Sequence, residues 1–113
     1  ADTFWVLSEE EGFQKARAEK KPVLIDFFAD WCPACHELDE KTWPEQSVRN
    51  ELKRFIPLRI DLTKDNEAAR LIYKKYHIKG LPTVILLKPS GEEMVRFVGF
   101  QPPETVIRIL KNH

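Results

Sequence analysis

The stretch Pro22-Val-Leu-Ile-Asp-Phe-Phe-Ala29 is apolar at every position but one. A run of that kind has no polar side to turn to water, so it fits a strand covered on both faces by other elements. Strands of this sort belong to α/β architectures, in which helices pack on both sides of one sheet. The run ends at Asp30-Trp31, and Cys32-Pro33-Ala34-Cys35-His36 follows at once. The two cysteines therefore sit at the mouth of a buried strand.

Period and punctuation along the rest of the chain agree with an α/β reading. Phe4 to Leu7 is a short apolar run, expected as an edge strand. Ser8 followed by Glu11 fits a capping box opening a helix that runs to about Lys20. Pro33 to about Thr42 reads as a helix interrupted by Pro44, with Glu45 to Arg54 as a second helical segment. Phe55 to Leu62 is the next strand and Asn66 to Tyr76 the next helix. Thr83 to Lys88 and Glu93 to Val98 are strands joined by the turn Pro89-Ser90-Gly91. Glu104 to Lys111 closes the chain as an amphipathic helix. Expected from this order is one domain over residues 1–113, a three-layer α/β sandwich around a mixed five-stranded sheet.

Composition narrows the chemistry. Eighteen basic and eighteen acidic residues balance, and no basic stripe marks a nucleic-acid face, so no nucleic-acid partner is expected. No stretch approaches the ~20 apolar residues of a membrane span, and no charged-then-apolar signal pattern opens the chain. A monomer is expected. Two cysteines are too few for a disulfide-stapled scaffold, and a bridge across two intervening residues closes too small a loop to constrain the unfolded chain. Cys32 and Cys35 are thus better explained by chemistry than by structure.

Two pattern readings compete for them. C-x-x-C is the spacing of a redox dithiol, whereas C-x-x-C-H, with His36, is a c-type haem attachment site. A haem iron also needs a second axial ligand, and only Met94, His77 and His113 remain, none placed for it by the expected elements. Two cysteines and scattered histidines do not make a closed zinc set either, so no metal is expected. In the dithiol reading Pro33 occupies the first turn of a helix and Cys32 lies near its N-cap, where free N–H groups favour a thiolate. Cys32 is then the attacking sulfur, and Cys35, one turn further in, the resolving one. Asp26, inside the apolar run, is either a strand-end acid reaching water or a buried carboxyl placed to take a proton from Cys35. Asp39, four residues after Cys35, shares its helix face and is either an exposed acid or a neighbour of the dithiol. Acids close to the sulfurs would oppose thiolate formation. Pro82, ahead of a central strand in Gly80-Leu81-Pro82-Thr83, suits a cis turn as well as an ordinary trans start.

The strand ending in Asp-Phe-Phe-Ala-Asp-Trp, the Cys-x-x-Cys opening a helix, Gly-Leu-Pro-Thr ahead of a hairpin, and Val98-Gly99 at the hairpin's end together resemble the thioredoxin superfamily. The stretches LIDFFADWCPAC, KTWPEQSVRNEL, GLPTVILL and FVGF are most similar to the C-terminal thioredoxin-like domain of DsbD-type thiol:disulfide interchange proteins. The resemblance implies a protein-disulfide reductase that needs no cofactor beyond its own Cys32–Cys35 disulfide. It implies a periplasmic domain, fed by a membrane-embedded dithiol donor and reducing an immunoglobulin-like periplasmic acceptor domain. A cytoplasmic thioredoxin reduced by a flavin-dependent reductase is the alternative. By position, the resemblance makes Cys32 and Cys35 catalytic, with Asp26 and Asp39 as the acids that tune them. It makes Pro82 cis, and has Trp31, Leu81, Pro82, Gly99 and Phe100 line the partner-contact surface. The family helix usually carries Glu where Asp39 stands, and ordinary thioredoxin has Gly-Pro where Pro33-Ala34 stand, so the potential is not implied.

Overall fold

The computed structural model describes residues 4–113. Its elements in chain order are α1 (Glu9–Glu19), β1 (Val23–Phe28), α2 (Pro33–Lys41), α3 (Gln46–Leu52), β2 (Ile56–Asp61), α4 (Glu67–Lys75), β3 (Thr83–Leu87), β4 (Glu93–Val98) and α5 (Pro103–Lys111). Local chemistry sets most of these limits. Ser8 accepts the Glu11 amide and three acids occupy the first turn of α1, complementing its dipole. Asn66 caps α4 in the same way, accepting from Ala69 N at 2.8 Å. Pro44 stops the helix begun at Pro33, and Arg49 Nε donates to the Trp43 carbonyl across the break at 2.7 Å.

The sheet order is β2-β1-β3-β4, with β1 parallel to β2 and antiparallel to β3, and β3 antiparallel to β4. Among the described residues the sheet has four strands rather than the five expected. Phe4–Leu7 supplies only a single parallel bridge, Val6 opposite Leu58. Val6 N donates to Pro57 O and Arg59 N to Val6 O, both at 2.8 Å. The segment stops there because Trp5 turns inward against Trp43, with ring centroids 5.5 Å apart, and Ser8 then starts α1.

Both faces of the sheet are covered, as the apolar run requires. On one face α1 and α4 bring Ala16, Ala69 and Tyr76 against Val23, Ile25, Phe27, Leu58 and Ile85. On the other, Leu38, Trp43, Val48, Leu52, Val106 and Leu110 close over Leu24, Val84 and Leu86. Burial of each large side chain contributes about 1.5–3 kcal/mol relative to exposure. Gly12 lets α1 lie close on β2, since a Cβ there would stand 3.1 Å from Leu58 Cδ2. The parallel register sets Asp26 beside Arg59, and the antiparallel register sets it beside Val84. Asp26 and Arg59 thereby share the face covered by α2.

Candidate active site

Cys32 is the N-cap of α2. Its backbone is extended (φ −98°, ψ 109°), Pro33 fills the first helical turn, and its Sγ accepts a hydrogen bond from Cys35 N at 3.2 Å. The cap that Ser, Asp or Asn usually supplies is here a sulfur. Both thiols are free and buried, Cys32 3% and Cys35 2% exposed. They cluster with Ala29, and Phe28, Ala34 and Leu81 pack against them. Burial pushes the Cys35 thiol up to about 12. The hydrogen bond to Cys32 and the charges of Cys32 and Asp26 push the same way, against a backbone contact to Ala29.

Asp26 is 1% exposed, so the reading in which it reaches water is not the one realised. Its Oδ2 accepts two bonds from Arg59, from Nε at 3.0 Å and Nη2 at 2.6 Å. Arg59 turns its other edge to Asp39, with Nη1 3.2 Å from Oδ2 and Nη2 2.5 Å from Oδ1. One guanidinium therefore joins both candidate acids. Its Cζ lies over two rings, 4.6 Å from the Trp5 ring centroid and 4.5 Å from that of Phe28. Burial raises Asp26 to about 6, and the Asp39 charge adds to the rise. Arg59, by charge and by hydrogen bond, and the Trp43 indole oppose it. Asp26 Oδ1 and Trp43 Nε1 are both buried and make no hydrogen bond of ordinary geometry, so Trp43 acts on the carboxylate as a facing dipole.

Thr63, on the loop after β2, ties down the segment before Cys32. Its Oγ1 accepts from Asp30 N at 2.8 Å, its carbonyl accepts from Trp31 Nε1 at 2.9 Å, and it is itself held by Asp61. The Trp31 ring is consequently fixed yet 62% exposed beside the dithiol. His36 places Nε2 2.6 Å from the Asp30 carbonyl oxygen and packs edge-on against Phe28. It thus serves the same loop.

The Leu81–Pro82 bond is cis. Pro82 O accepts from Gly99 N at 2.8 Å, with Gly99 at φ +86°, so the two halves of the expected contact surface are hydrogen-bonded together. Phe100, the next residue, is half-buried. It packs against the core under α2, α3 and α5, with Lys41 Nζ 5.9 Å from its ring centroid. Sequence reasoning missed Arg59, Trp43 and Thr63. The available signal was the alternation Pro57-Leu-Arg-Ile-Asp61, which sets Arg59 on the face opposite Leu58 and Ile60.

The chain matches a family model for a thioredoxin-like domain over residues 10–113. The thiol:disulfide interchange protein DsbD of Yersinia pestis (strain Pestoides F) is 33% identical over 99 residues, 86% of this chain and 17% of that protein. DsbD of Ralstonia nicotianae is 34% identical over 103 residues, 90% of this chain and again 17% of the relative. The chain thus spans under a fifth of the length of these relatives. The C-terminal domain of Neisseria meningitidis DsbD in its oxidised form superposes with a TM-score of 0.84 at 23% identity, covering 96% of this chain and 97% of that one. Its reduced form gives 0.80 at 27% identity, covering 91% of each. These likenesses support thiol–disulfide exchange as the chemistry of Cys32 and Cys35. With fold, dithiol placement and sequence in agreement, the chain belongs to the thioredoxin-like family.

Proposed function

We propose that this chain is the electron-donating domain of a DsbD-type protein-disulfide reductase. Reduced Cys32 attacks a partner disulfide and forms a mixed disulfide. Cys35, giving its proton to Asp26, then attacks the Cys32 sulfur. The Cys32–Cys35 bond forms, the bond to the partner breaks, and the partner leaves with the electron pair and takes up a proton. The two electrons and two protons come from the dithiol alone, so the exchange uses no bound cofactor or metal. An upstream membrane-embedded dithiol restores the reduced form by the same steps in reverse, and an immunoglobulin-like periplasmic domain is the acceptor. Trp31, Leu81, Pro82 and Gly99 form the surface on which partners dock.

The observation that carries this reading is the N-cap position of Cys32 with Cys35 one turn inside, on a chain similar to DsbD. Equilibration with glutathione or dithiothreitol buffers, read by alkylation, tests it. The reading expects a potential reducing enough to donate to periplasmic disulfides. A potential as oxidising as that of a dedicated oxidase overturns the reductase assignment. Cys35→Ser should accumulate the mixed disulfide on Cys32, and Cys32→Ser should form none.

A further inference from the structure

Among the described residues Arg59 is the one cation whose contacts reach both acids of the site, and its contacts divide unevenly. Both of its bonds to Asp26 end on Oδ2, while Asp39 is gripped through both oxygens. Asp26 Oδ1 is left buried without a hydrogen bond. The guanidinium is hemmed in, because it lies over the Trp5 and Phe28 rings and its side chain is only 14% exposed. Such a cation in contact with two carboxylates can neutralise one of them fully. Asp39, 29% exposed, is the better-solvated of the two acids, and Asp26 carries the larger desolvation cost when charged.

We propose that Arg59 is a positioning residue for proton transfer: it occupies Asp26 Oδ2, leaves Oδ1 as the oxygen that receives the Cys35 proton, and ties Asp39 to the same guanidinium. This rests on the thiol-exchange reading and deepens it. The groups facing Asp26 are Arg59 from β2, Cys35 and Asp39 from α2, and the Trp43 indole after α2. β3 presents only Val84, which does not titrate. In the step concerned, Cys35 Sγ–H loses its proton to Asp26 Oδ1 and the resulting thiolate attacks the Cys32 sulfur of the mixed disulfide. The Cys32–partner bond breaks and the partner departs as a thiolate. No outside oxidant or reductant enters.

Replacing Arg59 removes the positive charge that opposes desolvation and leaves Asp39 repelling Asp26. In Arg59→Gln the carbon-13 titration midpoint of the Asp26 carboxyl should move upward by about one pH unit or more, and the pH profile of mixed-disulfide resolution should move with it. At pH near 6.5 the resolution rate should drop roughly three-fold for a shift of one pH unit, while at high pH it should approach the wild-type rate. Arg59→Lys should restore most of the midpoint. Should Arg59→Gln fail to fold, Asp39→Asn tests the same arrangement in the opposite sense, because it frees Arg59 for Asp26 and should move the Asp26 midpoint downward. An unmoved Asp26 midpoint in folded Arg59→Gln, or in Asp39→Asn, overturns the proposal. So does a rate loss equal at all pH values, which marks a purely structural role. The carboxyl titration is independent of turnover: a wild-type protein inert toward disulfides would sink the exchange reading and leave the Asp26 midpoints to judge Arg59.

Discussion

Asp26→Asn should make the protein more stable at neutral pH, and the size of the gain follows from the site. The unfolded chain ionises Asp26 above its ordinary value of 3.8, whereas the folded protein holds the proton up to about 6. Between those values the native state binds more protons than the unfolded state, so stability falls as pH rises through the window. Below it both states are protonated and Asp26 costs nothing. Above it both are ionised and the whole cost is present. At about 1.4 kcal/mol per pH unit, a rise from 3.8 to about 6 amounts to about 3 kcal/mol. Asn keeps the shape, cannot ionise, and leaves Arg59 paired with Asp39. Urea unfolding of both proteins from pH 3.5 to 8, with the dithiol kept reduced, isolates the effect. Glu9 and Glu93 also titrate in the folded protein, but they are common to both and cancel. The difference in unfolding free energy should widen in favour of Asp26→Asn by about 2.4 kcal/mol between pH 4 and 7. A difference constant across that range would refute the reasoning, because it would mean that Asp26 titrates alike in the folded and unfolded chains.

Two further perturbations probe the frame around the site. Glu9 binds Lys75 at 2.7 Å and accepts from the Tyr76 hydroxyl. These contacts outweigh its burial and hold its carboxyl below the ordinary value of 4.5. Its contribution is present above that value and lost as pH falls through the lowered one, so Glu9→Gln should cost about 1 kcal/mol in urea unfolding at pH 7 and little at pH 3; an equal cost at both would show that charge plays no part. Thr63→Val removes the acceptor for Asp30 N while keeping the shape, and should cost about 1 kcal/mol and speed amide exchange at Asp30 at least several-fold. Unchanged exchange at Asp30 would mean that Thr63 does not hold the loop.

What could be read from the sequence was what short segments decide by themselves. The Ser8 cap, Pro33 in the first turn, the apolar run of β1 and the Pro89-Ser90-Gly91 turn each involve neighbours within a few residues. Phe4–Leu7 was misread because aromatic residues favour both strands and cores. Here packing against Trp43 took Trp5, and only Val6 bridged the sheet. Arg59 was hidden for a different reason. A charged residue between Leu58 and Ile60 reads as the wet face of a half-buried strand, yet this sheet has helices on both sides. Its role depends on the register that sets it beside Asp26, a pairing across more than thirty residues that no local pattern encodes.

Once Arg59 is included, the electrostatics of the dithiol change in kind. Two acids alone would place a charge of −2 behind the sulfurs. With the guanidinium, the cluster alternates between 0 and −1 as Asp26 gains and loses one proton. That alternation is useful only if Cys35 releases its proton at the right moment. In the reduced protein Cys35 stands at about 12 and Asp26 at about 6, so transfer between them is strongly uphill. Two of the causes that raise Cys35, the hydrogen bond to Cys32 and the charge of Cys32, disappear once that sulfur is bonded to a partner. Burial and the Asp26 charge remain, and the latter is the one that transfer itself removes. Deprotonation of Cys35 is therefore held back in the resting dithiol and eased by formation of the mixed disulfide, which orders attack before resolution without any moving part.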